Sequence, residues 1–184
     1  MSDGRSVSAS PHELEPETVW NVRMPELRVG RDAIRELPHQ FGALGLEGDR
    51  GLVVTDETLV GLGHADRVVD HLEEAGLSVD VYDDCSREPS VTDVEDCLAY
   101  VREREPDGYD CYLGLGGGSC MDTAKATRAV VANGGSPLDY VAEPTGAGEE
   151  LTESGPPLVL LPTTAGTGSE VSPVAILSVE EKET

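Results

Sequence analysis

Positive charge is scarce in this chain. Thirteen Lys and Arg face 36 Asp and Glu, giving a net charge of -23 over 184 residues. Lysine occurs only as Lys125 and Lys182, so arginine carries most of the positive charge. A polyanion would be repelled, which argues against nucleic acid as a partner. The acids are spread along the chain rather than gathered in one block. That distribution reads as a solvated acidic surface suited to a salt-rich cytosol, with a surface for a basic partner as the other reading. Aromatic residues make up only 4% of the sequence, so the core must be built from Val, Leu, Ile and Ala. No apolar run approaches the ~20 residues needed to span a bilayer, and nothing resembles a secretory signal. The four cysteines, Cys85, Cys97, Cys111 and Cys120, form no C-x-x-C pair. Free thiols in a cytoplasmic protein are the expectation.

The chain is rich in glycine, with 21 residues, which suits a fold with many tight turns between strands and helices. Residues 1–16 are polar and lack periodicity, and read as a disordered arm. From residue 17 onward, apolar runs alternate with amphipathic stretches. Glu26–Val29 is a short strand candidate. Arg31–Phe41 has helical spacing that Pro38 interrupts. Gly51–Val54, Ser78–Tyr82, Cys111–Leu115 and Leu158–Leu161 read as compact strands, and Val174–Val179 as one more. Ala65–Ala75, Thr92–Glu103 and Ser119–Ala132 read as helices, the first stopped by Gly76. Pro144–Pro157 is a Gly/Pro/Glu-rich loop. The alternation implies an α/β fold: a Rossmann-like parallel sheet with helices on both faces.

Two loops carry candidate chemistry. In the first, the Cys111–Leu115 strand runs into Gly116, Gly117 and Gly118, then Ser119 as an expected N-cap, then a helix. Backbone without Cβ at a helix N-terminus, where the dipole favours anions, suits a pyrophosphate. The bland alternative is a tight turn, for which one glycine normally suffices. The segment is neither a P-loop nor the G-x-G-x-x-G fingerprint, because position 119 is Ser. The best ribose-binding acid is Asp56, at the end of the Gly51–Val54 strand, and it precedes the glycines instead of following them. An Asp after a strand is just as often a helix cap. Cys120, beside the glycines, is either a reactive thiol or a small buried filler. In the second loop, Thr163, Thr164, Thr167 and Ser169 leave the end of an apolar strand with two glycines between them. They form either a second wall of a nucleotide cleft or a polar surface turn.

Together, Gly116-Gly-Gly-Ser-x-x-Asp122-x-x-Lys125 and Pro162-Thr-Thr-x-Gly-Thr-Gly-Ser-Glu170 resemble the iron-containing (group III) alcohol dehydrogenases. The resemblance runs from Glu17 onward, and its detail at Val81–Asp84, Met121–Thr123 and Leu138–Val141 looks most like the hydroxyacid-oxoacid transhydrogenase branch. Dehydroquinate synthase shares the fold, but its pattern after the glycine loop differs. The resemblance implies NAD(H), with NADP less favoured because Asp56 would bind the adenosine ribose. It implies pyrophosphate at Gly116, Gly117, Gly118 and Ser119, Asp122 near the nicotinamide end, and Thr163, Thr164, Thr167 and Ser169 lining the cleft. Glu88 stands where the family often has Asn before a proline. The implied chemistry is hydride transfer to or from a small alcohol or hydroxy acid, assisted by Fe2+ or Zn2+. The metal ligands, one Asp and three His, belong to a following helical domain, so residues 17–184 are expected to be the nucleotide-binding part, cut before that domain. His12, His39, His64 and His71 match none of the ligand positions. Two readings follow: the cofactor-binding half of an oxidoreductase, inactive alone and needing the missing domain or an oligomer partner, or a non-catalytic nucleotide-binding remnant or split-enzyme subunit.

Overall fold

The computed structural model describes residues 25–46 and 49–179. The expected arm at residues 1–16 lies outside them, as does His12. Four strands form one sheet: β1 (Arg50–Val54), β2 (Ser78–Tyr82), β3 (Cys111–Gly116) and β4 (Leu158–Pro162). All pairings are parallel and the spatial order is β2-β1-β3-β4. The helices are α1 (Leu37–Ala43), α2 (Glu57–Gly61), α3 (His64–Glu74), α4 (Val91–Arg104), α5 (Gly118–Asn133) and α6 (Pro137–Tyr140).

β1 and β3 occupy the centre, and their residues are buried almost without interruption. Central parallel strands are covered on both faces, which explains why they read as continuous apolar runs. Alternation along each strand divides the core in two. Val53, Leu113 and Leu115 turn toward Phe41 of α1 and Val68 and Leu72 of α3. Leu52, Val54 and Tyr112 turn the other way, toward Cys97 and Val101 of α4 and Ala124 of α5. Val94, Leu98 and Val130 close the seam between α4 and α5. Gly114 lets α5 approach β3 closely: a Cβ there would lie 2.9 Å from the Met121 backbone and 2.9 Å from Leu160. The α5 N-terminus is thereby held at the carboxyl end of the sheet.

Four sequence expectations need correction. Glu26–Val29 pairs with no described strand, and Val29 is 94% exposed. A strand without a ladder partner has nothing to satisfy its backbone. Pro38 does not interrupt a helix. It sits in the first turn of α1, where no N–H is needed, after a separate 3-10 turn at Ala33–Glu36. Ser119 is not the N-cap of α5, because helical geometry begins at Gly118 and the cap is Gly117. Val174–Val179 forms no strand beyond an isolated bridge between Ser178 and Ser90. Its Val174 carbonyl is taken by a lysine side chain, and Ser178 pairs only with the start of α4. α2 and α6, of five and four residues, were not anticipated. Both are too short to carry a periodic signal.

Candidate functional site

From β1 the chain crosses to β2 on one side, and from β3 to β4 on the other. The boundary between β1 and β3 is a topological switch point, where open parallel sheets receive ligands at the strand carboxyl ends. Asp56 follows β1 and Gly116 ends β3, so residues distant in sequence meet on adjacent strands. A cavity of about 580 Å³ opens here, lined by Asp56, Gly117, Gly118, Ser119, Thr163 and Thr164 among others. A second cavity of about 280 Å³ shares Gly118 and Ser119 with the first and adds Asp122, Thr167 and Ser169. The larger volume falls within the range of small-molecule and cofactor sites. Of the ten residues expected to bind the cofactor, only Gly116 lines neither cavity.

The three glycines divide the work. Gly116 has φ +150°, and a Cβ there would sit 2.5 Å from the Cys120 sulfur. It is required by the turn itself. Gly117 and Gly118 have no such backbone demand. A Cβ at Gly117 would meet only the Thr164 hydroxyl, at 3.0 Å, and one at Gly118 would make ordinary contact with Thr167 at 3.5 Å. What their bareness provides is access to the backbone from the cleft. The first N–H groups of α5 have no partner within the helix, so they are available to an anion. Gly117, Gly118 and Ser119 are all partly exposed.

Asp56 is both a cap and a wall. Its Oδ1 accepts from the Leu59 N–H at 3.0 Å, capping α2. Its Oδ2 accepts from the Cys120 thiol at 3.6 Å. The hydroxyl loop is tied to the glycine turn by the Thr163 N–H, which donates to the Gly116 carbonyl at 2.9 Å. Thr163, Thr164 and Thr167 are exposed to the cleft, whereas Ser169 is buried.

Ser169 and Asp122, which both line the smaller cavity, also face each other. The Ser169 hydroxyl donates to Asp122, and Asp122 Oδ2 accepts from the Ile176 N–H at 3.1 Å. Lys125 Nζ lies 2.7 Å from Asp122 Oδ1 and donates to the carbonyls of Ser169, Ser172 and Val174 at 3.0, 3.3 and 2.7 Å. Both Asp122 and Lys125 are nearly buried. The pair is a tether that lashes residues 169–176 onto α5.

The residues after β2 were missed in the sequence. Asp83, Asp84, Cys85, Ser86 and Arg87 line the larger cavity. The available signal was position: a strand next to β1 brings its own carboxyl end to the same cleft. With Glu57, this wall is strongly acidic, and Arg87 is its sole cation among the described residues. An anionic ligand here would have to be held by backbone N–H groups and the helix dipole, against repulsion from the side chains.

Among the described residues, no group of three His, Cys, Asp or Glu side chains comes together to hold a metal ion. No described helix is long and apolar enough to cross a membrane.

A family model described as iron-containing alcohol dehydrogenase matches residues 25–184. Long-chain-alcohol dehydrogenase 1 of Geobacillus thermodenitrificans is 38% identical over 164 residues, covering 89% of this chain and 40% of that protein. The mitochondrial hydroxyacid-oxoacid transhydrogenase of Xenopus tropicalis is 32% identical over 166 residues, covering 90% of this chain and 35% of that one. Among solved structures, sulfoacetaldehyde reductase from Bifidobacterium kashiwanohense in complex with NAD+ superposes with a TM-score of 0.74 at 32% identity, covering 88% of this chain and 40% of that one. The chain thus spans about 40% or less of the length of these two curated relatives.

Proposed function

Because this chain belongs to the iron-containing alcohol dehydrogenases, we propose that residues 17–184 form its NAD(H)-binding α/β unit, preceded by an arm at residues 1–16. The unit serves hydride transfer to or from a small alcohol or hydroxy acid. The observation that carries this reading is the bare backbone of Gly117–Ser119 at the α5 N-terminus, facing Asp56 across the β1/β3 switch point in one cavity. Both a long-chain-alcohol dehydrogenase and a transhydrogenase lie at similar distance from the chain, so the substrate is left at that class.

The residues present fit a dinucleotide. The backbone N–H groups of Gly117, Gly118 and Ser119 would hold the pyrophosphate, in a cradle that a Cβ would begin to fill. Asp56 would accept from the ribose diol and oppose a 2′-phosphate, favouring NAD over NADP. Thr163, Thr164 and Thr167 would line the opposite wall, while Asp122 and Ser169 fix the loop that carries them. NAD(H), when bound, supplies or takes up a hydride at its nicotinamide ring.

The described residues do not fit the family's metal, so Fe2+ or Zn2+ and the alcohol it would bind are assigned to residues beyond them. Catalysis then requires a further domain or an oligomer partner. Four free cysteines and a net charge of -23 support a reducing, salt-rich cytoplasm as the setting.

The test is a fluorescence titration of the purified chain with NADH and NADPH in molar KCl. Saturable binding that prefers NADH is expected. Asp56→Asn keeps a capping acceptor but loses the charge, and should narrow the preference. A folded chain that binds neither nucleotide would sink the proposal.

A further inference from the structure

The loop after β2 passes from one cavity to the other. Residues 83–87 line the larger cavity and Pro89 lines the smaller one. From the α5 side, Gly118 and Ser119 line both. Position 87 is therefore the last on this loop to line the larger cavity, next to the junction that the α5 N-terminus borders.

Arg87 is the only cation lining either cavity among the described residues. Four carboxylates, those of Asp56, Glu57, Asp83 and Asp84, share the larger cavity with it. Its side chain is exposed and forms no ion pair with a described residue, although Asp83, Asp84 and Glu88 are close in sequence. The backbone on both sides of it is fixed. Asp84 bridges to Asp56, and the Cys85 N–H donates to the Thr55 carbonyl at 3.2 Å. The Ser86 N–H donates to Asp93 Oδ1 at 3.3 Å. Beyond Arg87, the Pro89 carbonyl accepts from the Ser178 N–H at 2.8 Å. A free cationic side chain on an anchored loop is aimed by its scaffold.

We propose that Arg87 is a specificity-determining residue of the cleft, whose guanidinium takes the dinucleotide's pyrophosphate from the wall facing the α5 N-terminus. The inference rests on the nucleotide reading above and assigns a counter-charge within it. A pyrophosphate brings two negative charges into a cavity that already holds four carboxylates. The N-terminus of a helix offers the equivalent of only about half a positive charge. Arginine adds a full charge, and its planar fork matches two phosphate oxygens at once. The other parts of NAD have no such need: adenine and the riboses are neutral, and the oxidised nicotinamide ring is itself a cation.

The experiment titrates NADH into the full 184-residue chain and into Arg87→Lys, Arg87→Gln and Arg87→Glu in molar KCl. At that salt the Debye length is ~3 Å, so a direct contact registers and the general field of the cleft does not. Affinity should fall about five- to tenfold in Arg87→Gln, less in Arg87→Lys and more in Arg87→Glu. ADP-ribose, which keeps the pyrophosphate and lacks the nicotinamide, should weaken by the same factors, and NADPH by no more than NADH. The Tm should stay that of the parent, because the side chain is exposed.

An Arg87→Gln chain that binds NADH like the parent overturns the inference. So does an Arg87→Lys as weak as Arg87→Gln, or an Arg87→Glu no weaker, either of which marks an uncharged stacking contact. ADP-ribose affinity left unchanged would put Arg87 at the nicotinamide end, and an NADPH loss larger than the NADH loss would put it at a 2′-phosphate; each overturns the pyrophosphate contact. Failure of the folded parent to bind NADH overturns the nucleotide reading and this inference together, whereas a parent that binds with an indifferent Arg87 overturns this inference alone.

Discussion

Substituting the three consecutive glycines one at a time should separate the turn from the binding surface. Gly116→Ala forces a Cβ onto a residue with φ +150°, where it would lie 2.5 Å from the Cys120 sulfur and 2.8 Å from the Cys120 Cβ. Backbone strain of this kind costs about 1–3 kcal/mol. Overpacking against a buried side chain costs about 1–3 kcal/mol more. The expected loss is then about 2–6 kcal/mol, or a fall in Tm of about 4–24 °C for a chain of this size. Gly117→Ala has neither liability. Its φ is -77°, and its Cβ meets only a rotatable threonine hydroxyl. Folding should change by less than about 1 kcal/mol. The methyl does stand where the pyrophosphate must approach. Losing one charge-assisted hydrogen bond costs roughly 1.5–3 kcal/mol, or about 10- to 150-fold in NADH affinity.

The assay is a pair of measurements on each variant: thermal melting followed by circular dichroism, and NADH titration in the same buffer. Gly116→Ala should fall mainly on the first axis and Gly117→Ala on the second. If Gly117→Ala melts early while binding NADH normally, the loop is a structural turn and the phosphate argument fails. If Gly116→Ala is as stable as the parent, the assigned backbone geometry is wrong.

Four further outcomes are expected. NADH affinity should rise between low and molar KCl, because salt screens the acidic wall formed by Asp56, Glu57, Asp83 and Asp84; an affinity that falls steadily with salt would refute this. Tm should rise with KCl for the same reason applied to the net charge of -23, and a Tm independent of salt would contradict the screened-surface reading. Lys125→Met should destabilise by about 3–5 kcal/mol, since it leaves Asp122 buried without its cation, and should speed hydrogen exchange across residues 169–176; an intact exchange pattern there would refute the tether. Asp93 is held below the usual carboxylate range, because hydrogen bonds from Ser90 and Ser86 outweigh the opposing effect of burial. Its stabilisation is present above the unfolded carboxylate pKa of ~4 and is lost as pH falls through the folded value, so Asp93→Asn should cost about 1 kcal/mol at neutral pH and flatten the acid limb of the stability curve.

The fold was legible where burial is two-sided. β1 and β3 are apolar runs because helices cover both faces, and α3, α4 and α5 are long enough to show a stripe. Legibility ends where a single long-range contact replaces a repeating pattern. Val174–Val179 has the composition of a strand, but the Val174 carbonyl is bonded to Lys125, from α5. Nothing near Val174 in sequence encodes that. Pro38 reads as a breaker in the interior of a periodic stretch and as a starter in a first turn. Only the 3-10 segment before it, which hydropathy does not reveal, decides between the two.

The same limit governs the site. Residue type and spacing identified the two loops, because a glycine run at a strand end and a cluster of small hydroxyls are local features. They did not divide the labour within each loop. Gly116 and Gly117 are identical letters, yet one is demanded by φ +150° and the other is left bare toward the cleft. Thr167 and Ser169 are near-identical chemically, yet one is exposed and the other buried against Asp122. The Asp122–Lys125 pair is what separates them. By holding the carbonyls of Ser169, Ser172 and Val174 it fixes the far end of the loop, while the Thr163 N–H fixes the near end to Gly116. A loop anchored at both ends, with its exposed hydroxyls between the anchors, is a wall of defined shape. The acid and lysine of the glycine motif therefore act on the second motif, and the two sequence signatures form one structural unit.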